Sequence, residues 1–352
     1  MNCQLPVSFR ENSLKSLNDL VLRDAVRKAT NLLSAKRSQG LESVPLDQWR
    51  ERASDIRKQT ILHLPEYVDT FSRHATAAGA VVHRAVDKKQ AANTIYYILK
   101  DRHASQVVKA KSMITEEICL NEVLEDRGIH VVETDLGEFI IQLAGESPSH
   151  ILGPAIHKTR QQVGKLFADK LGVPFSDKPE LLTKTARGKL REKFLCADAG
   201  ITGTNLAVAE TGTVAVFTNE GNARMVTTIP PIHIAVLSVE KIIATLADLG
   251  LFASLLPRSA TGQPLSSYLS LITGTRKLNE TTGARELHIV LLDNGRSEIA
   301  AGQYSDILKC IRCSACINVC PVYGTVGGHA YGSPYSGPMG IVLTILLKGM
   351  AQ

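Results

Sequence analysis

Apolar positions in the first 64 residues recur at helical spacing. Leu14, Leu17, Val21 and Ala25 share one face, with Arg23, Asp24 and Lys28 elsewhere. Gly40 and Pro45 interrupt the pattern, and Asp47 is placed to cap a further helix carrying Trp49, Ala53 and Ile56. Residues 1–64 are therefore expected to form an N-terminal helical arm that packs on the body or on a partner subunit.

From Pro65 the period alternates. A helix through Tyr67, Phe71 and Ala75 ends at Gly79, and Ala80–His83 reads as a short strand. Residues 87–102 read as a helix with Ala91, Ile95, Ile98 and Leu99 inward. Gln106–Lys109 is a strand, Leu120, Val123 and Leu124 mark a helix ending at Gly128, and Ile129–Glu133 is a strand again. Strands alternating with helices predict an α/β fold with a mostly parallel sheet covered on both faces. Glu138–Leu143 is expected to add a strand after a turn at Asp135–Gly137.

Residues 154–199 predict two helices, one with Ile156, Val163, Leu166 and Phe167, the next with Leu190, Phe194 and Ala197. Arg187, Lys189, Arg191 and Lys193 of the second read as a solvated face. A β-rich segment follows. Gly200–Asn205 is expected to be a turn, Leu206–Ala209 and Thr213–Phe217 strands joined by Glu210-Thr211-Gly212, Asn219–Asn222 a turn, and Ile232–Leu237 a strand. Ser238 is placed to cap a helix with Ile242, Ile243, Leu246 and Leu249 that closes at Gly250. His288–Leu292 is the last strand of the body, and Gly295–Gln303 the expected boundary before the tail.

Composition adds limits. The chain has 352 residues, enough for a large domain and a smaller one, and is 44% apolar and 21% charged, an ordinary globular balance. The net charge of +6 comes without basic runs interleaved with aromatics, so nothing points to nucleic acid; a basic face favours an acidic partner or an anionic substrate. No apolar leader opens the chain, and Ile341–Leu347 is far too short to cross a bilayer, so a cytoplasmic protein without a membrane span is expected.

The sharpest chemistry is Cys310-Ile-Arg-Cys313-Ser-Ala-Cys316-Ile-Asn-Val-Cys320-Pro321. The C-x2-C-x2-C-x3-C-P run holds cubane iron–sulfur clusters, and thiolate is the soft ligand that such clusters need. Zinc more often uses two separated C-x2-C pairs, and four thiols this close make poor disulfide partners in a reducing compartment. Cys310, Cys313, Cys316 and Cys320 are the expected ligands of a 4Fe-4S cluster. Pro321 is expected to stop the local turn. Cys3, Cys119 and Cys196 are scattered and read as small buried residues or surface thiols.

Elsewhere the signals are weaker. Turns around Gly200, Gly203 and Gly212 could offer backbone N–H groups to an anion, but their spacing matches no phosphate fingerprint. Glu210, at the end of an apolar strand, is either a nucleophile or base or a group that bonds its own turn. The ten histidines show no metal spacing, and His150, His157 and His233 read as core or surface residues.

Glu133-Thr-Asp-Leu-Gly-Glu138, Pro148-Ser-His-Ile151, Asn205–Thr213, Asn219–Arg224 and the cysteine run, in this order, resemble the lactate-utilization protein B family. The resemblance spans essentially the whole chain. It implies that residues 65–300 form a lactate-utilization domain similar to the phosphosugar-isomerase and CoA-transferase-like α/β fold, with residues 301–352 a partial α-helical ferredoxin-type segment. It further implies a cytoplasmic complex with companion subunits that oxidises L-lactate to pyruvate, passing electrons to an acceptor protein or a quinone-linked chain. This chain would be the electron-transfer subunit rather than the catalyst, since a cluster does one-electron chemistry and hydroxy-acid oxidation needs another cofactor. The family carries two clusters and a second cysteine group, and no cysteine follows Cys320 here. The resemblance thus implies a C-terminally shortened member with at most one complete cluster. The alternative is a small-molecule-binding or CoA-transferase-like domain, with Glu210 and the glycine turns as its site, or a scaffold with an impaired cluster site.

Overall fold

The β-branched runs of the sequence form ten strands: β1 Val81–Ala85, β2 Gln106–Lys109, β3 His130–Glu133, β4 Ala199–Gly203, β5 Leu206–Val208, β6 Thr213–Thr218, β7 Ile232–Ser238, β8 Ile242–Ile243, β9 Tyr268–Ile272 and β10 Glu286–Leu292. The computed structural model describes residues 8–348. Six strands make a wholly parallel sheet in the order β1-β10-β7-β4-β2-β3. The other four make a smaller sheet, β8-β5-β6-β9, in which β6 is antiparallel to both neighbours.

Alternating residues of the large sheet serve opposite faces. Val107, Val131, Ile201, Ile234, Val236 and Val290 pack under the helices that carry Ile95, Leu99, Leu120 and Leu124. On the other face, Ala235, Leu237, Ile289 and Leu291 meet Val68, Phe71 and Ala75, and Val108 and Val132 meet Phe139, Phe167 and Phe194. Both faces are therefore covered, as a parallel sheet requires.

Several local expectations are corrected. Residues 138–143 are not a strand but part of the helix Leu136–Ala144, because the Asp135 carboxylate accepts from the Gly137 and Glu138 amides and caps it. Gly200 lies inside β4, not in a turn. A Cβ there would meet the Val226 carbonyl oxygen at 2.0 Å, so glycine serves close approach to the helix Asn222–Thr228. The helix after β7 is capped by Thr245, not Ser238; it runs Leu246–Thr261 straight through Gly250 and Pro257. Ile242 and Ile243 are strand β8 instead.

At the N-terminus, helices Phe9–Asn18, Leu20–Leu41 and Leu46–Leu62 form the arm. Leu14, Leu17 and Val21 are exposed, contrary to the expected inward face. The buried stripe is Val26 and Thr30, and Val26 packs on Ile317 and Tyr323 of the tail. The arm thus embraces the cysteine segment. Asp47 stands in the first turn of its helix without capping it. Among the described residues, no helix is long and apolar enough to cross a membrane.

Candidate functional site

The cysteine segment docks on the carboxyl-end face of the large sheet, and a buried ion network holds it there. Glu240, just beyond β7, forms an ion pair with Arg296 at 3.0 Å and accepts a hydrogen bond from Arg312 at 3.0 Å. Arg296 also pairs with Glu117 at 2.6 Å, and Glu117 accepts from the Tyr335 hydroxyl and from Asn294 at 2.7 Å. The guanidinium of Arg312 lies over the Tyr335 ring, 4.5 Å from its centroid. Arg57, from the N-terminal arm, donates to the carbonyl of Leu308 at 2.7 Å. Burial pushes the Glu240 carboxyl up, but Arg296, Arg312, Lys241 and Arg57 overcome it and hold the group at about 2.

All four cysteines of the run are partly exposed and free. Arg312 and Ser314, between the first three, take positive φ values of 60° and 63°, which coils the loop tightly. Burial raises the Cys313 thiol, and the neighbouring Cys310 and Cys316 add smaller contributions. Cys320 follows the helical turn Ala315–Asn318. Backbone amides face the sulfurs: Arg312 N–H lies 3.3 Å from Cys310 Sγ and Tyr323 N–H 3.5 Å from Cys320 Sγ. The helical turn Ala315–Asn318 ends before Pro321, which opens the next helix, Pro321–Val326, where its missing N–H costs nothing, with Cys320 as cap. The helix Gly337–Lys348 covers the loop through Met339 and Leu343.

A cavity of about 390 Å³ opens beyond the ends of β2 and β4. Connections leave β2 toward β3 and β4 toward β7, in opposite directions across the sheet, so this is its topological switch point, the usual ligand position in open α/β sheets. Lys111, Gly203, Thr204, Asn222 and Lys241 line it, and Ile311 and Arg312 of the cysteine loop form part of its wall.

The other sequence candidates fall elsewhere. Glu210 is exposed at the β5–β6 turn and accepts from the Leu246 amide at 2.6 Å, so it caps the helix Leu246–Thr261 and does not line the cavity. Gly212, at φ +68°, lies against the backbone of Ala75. Only Gly203 of the three glycines reaches the cavity. His150 bonds Asn318 at 2.9 Å and His233 bonds Thr202 at 2.8 Å, both buried core histidines. Ligand atoms of Glu146, His157 and His329 lie within 4.8 Å of one another, a grouping without sequence spacing. Both ring nitrogens of His157 are already engaged, by Ser149 and Glu146, and Lys158 neutralises Glu146 at 2.6 Å. Cys196 is exposed, and Cys3 lies outside the described residues. Sequence reasoning missed Lys241, Arg296, Glu240 and Asn222. The signal available was charge directly after an apolar strand, as in Ser238-Val-Glu-Lys241.

Fold and site together define an α/β domain of doubly covered parallel sheet with a cysteine-rich tail docked at its carboxyl edge. The LUD domain family model matches residues 68–292. The lactate utilization protein B of Bacillus pumilus (strain SAFR-032) is 46% identical over 344 residues, 97% of this chain and 72% of that protein. An uncharacterized electron transport protein, YkgF of Escherichia coli (strain K12), is 44% identical over 342 residues, again 97% and 72%. A solved DUF162 family protein from Deinococcus radiodurans aligns with a TM-score of 0.38 and 17% identity, over 65% of this chain and 98% of that one. The chain belongs to the lactate-utilization protein B family.

Proposed function

We propose that the chain is an iron–sulfur electron-transfer subunit of a complex that oxidises L-lactate to pyruvate. The observation that carries this reading is the run of Cys310, Cys313, Cys316 and Cys320 on one tightly coiled loop, with the Arg312 and Tyr323 amides aimed at the sulfurs of Cys310 and Cys320. That donor set fits a 4Fe-4S cluster: soft thiolates, partial burial, and N–H···S bonds of the kind that tune potentials. Cys320, set one turn further on, supplies the remaining thiolate of the run. When bound, the cluster supplies one-electron transfer. The protein's own contribution is to exclude water with the helix Gly337–Lys348 and to anchor the loop through Arg312. On this reading companion subunits hold the hydroxy-acid chemistry, because a cluster does one-electron transfer and no more; the relatives' names speak of lactate utilization and electron transport. The unit 65–300 is the α/β domain and 301–352 the ferredoxin-type segment.

The test is spectroscopic. Anaerobically purified protein should show a broad visible absorption that bleaches with dithionite, and Cys313→Ser should abolish it while far-ultraviolet circular dichroism stays unchanged. A wild-type chain that is colourless after anaerobic reconstitution overturns the reading.

A further inference from the structure

We infer that the switch-point cavity is a binding site for a small organic acid anion, held by Lys241 beside the cysteine loop.

Lys241 is 5% exposed. Its ammonium donates to the Cys310 carbonyl at 2.7 Å, its one hydrogen bond among the described residues, and no carboxylate there lies within ion-pair distance of it. An ammonium has three donors, so two are unspent. Glu240 attracts Lys241 from beyond ion-pair distance but is itself taken by Arg296 and Arg312, and a buried ammonium without an ion pair of its own is expected where a ligand brings the opposite charge. The other cations at the cavity are already satisfied. Lys111 pairs with Asp135 at 3.1 Å and Arg312 with Glu240.

Two further groups at the same cavity lack partners. Thr204 Oγ1 and Asn222 Oδ1 are buried and make no hydrogen bond among the described residues, and Asn222 is 7% exposed. Such atoms are rare in a core and ask for an explanation. A hydroxyl-bearing or keto-bearing acid would meet all three demands: its carboxylate on Lys241 and its polar substituent on Thr204 and Asn222. Glu220, also at the cavity, is raised by burial and by Asp135. Apolar walls from Phe217, Leu256 and Ile311 suit the carbon skeleton. The choice of an organic acid over other anions rests on the lactate-utilization reading; the anion site itself rests on Lys241. Because Lys241 bonds the Cys310 carbonyl, an occupant contacts the loop that carries the thiolates.

The experiment is calorimetric titration of the full, anaerobically purified chain with L-lactate, with pyruvate and with inorganic phosphate, repeated on Lys241→Met and Thr204→Val. Saturable binding of one molecule of lactate or pyruvate per chain is expected. Lys241→Met should weaken it by about tenfold or more, as loss of a charged hydrogen bond does, and Thr204→Val by about fivefold. Occupancy should also alter the paramagnetic resonance spectrum of the reduced protein. Thr204→Val, nearly isosteric, tests the site even if Lys241→Met fails to fold. Binding of phosphate alone, no binding, or binding indifferent to Thr204 overturns the inference. A chain that holds iron and binds no carboxylate defeats this site only. A chain that binds carboxylate and holds no iron defeats the electron-carrier reading and leaves this site standing.

Discussion

Arg296 is fully buried and bridges two carboxylates, Glu117 and Glu240, that come from different parts of the sheet edge. Removing it leaves both without their main cation, so Arg296→Ala should cost about 3–5 kcal/mol. A urea unfolding midpoint that moves by less than the equivalent of about 1 kcal/mol would contradict the network as the tail's anchor. Histidines set the acid limit. Burial lowers His150 and His233 each to about 4 from 6.5, even though His150 donates to the Asn318 side-chain oxygen. Their neutral forms are favoured in the fold, so this stability is whole above pH 6.5 and is lost as pH falls toward 4, on the order of 3 kcal/mol apiece. Denaturation followed between pH 7 and 4 should show that decline; a flat profile would contradict it. At this scale the cysteine run stands out as a candidate ligand set from its spacing alone. The sequence was opaque for Lys241, because a lysine's burial depends on which loops close over it. Glu210 looked conspicuous after an apolar strand, yet its partner, the Leu246 amide, is distant in sequence and invisible to pattern.

Elements show a similar division. Strands β2, β3, β7 and β10 could be read from their β-branched runs almost to the residue. The apolar segment at 138–143 could not, since a short buried helix and a short buried strand have the same composition and Asp135 decides between them by capping. Gly200 and Gly203 suggested turns because glycine usually marks them, whereas here glycine admits neighbours: Val226 presses on the first and Ser112 on the second. Gly200→Ala should therefore destabilise by about 1–3 kcal/mol, as overpacking in a close-fitted core does. Thermal unfolding checks it, and an unchanged or higher midpoint would show that β4 has room to spare. The arm's exposed Leu14, Leu17 and Val21 mislead for a related reason. Periodicity identifies a stripe, and the tail's Ile317 and Tyr323 select the neighbouring one around Val26.

For the whole molecule, chain order conceals proximity. The N-terminal arm, the ends of parallel strands and the C-terminal cysteines meet at one edge of the sheet, joined by Arg57, Glu240 and Arg296. Alternation of strand and helix made the parallel sheet foreseeable, but not the second sheet's β9, nor the cavity that shares a wall with the cysteine loop. The cysteine loop is proposed to hold an iron–sulfur cluster. The most direct test is iron and acid-labile sulfide per chain after anaerobic purification, with electron paramagnetic resonance of the reduced sample. About four irons and a matching amount of sulfide are predicted, with a signal on reduction, both lost in Cys310→Ser. Zinc in place of iron, or no metal in a folded chain after reconstitution, would contradict it.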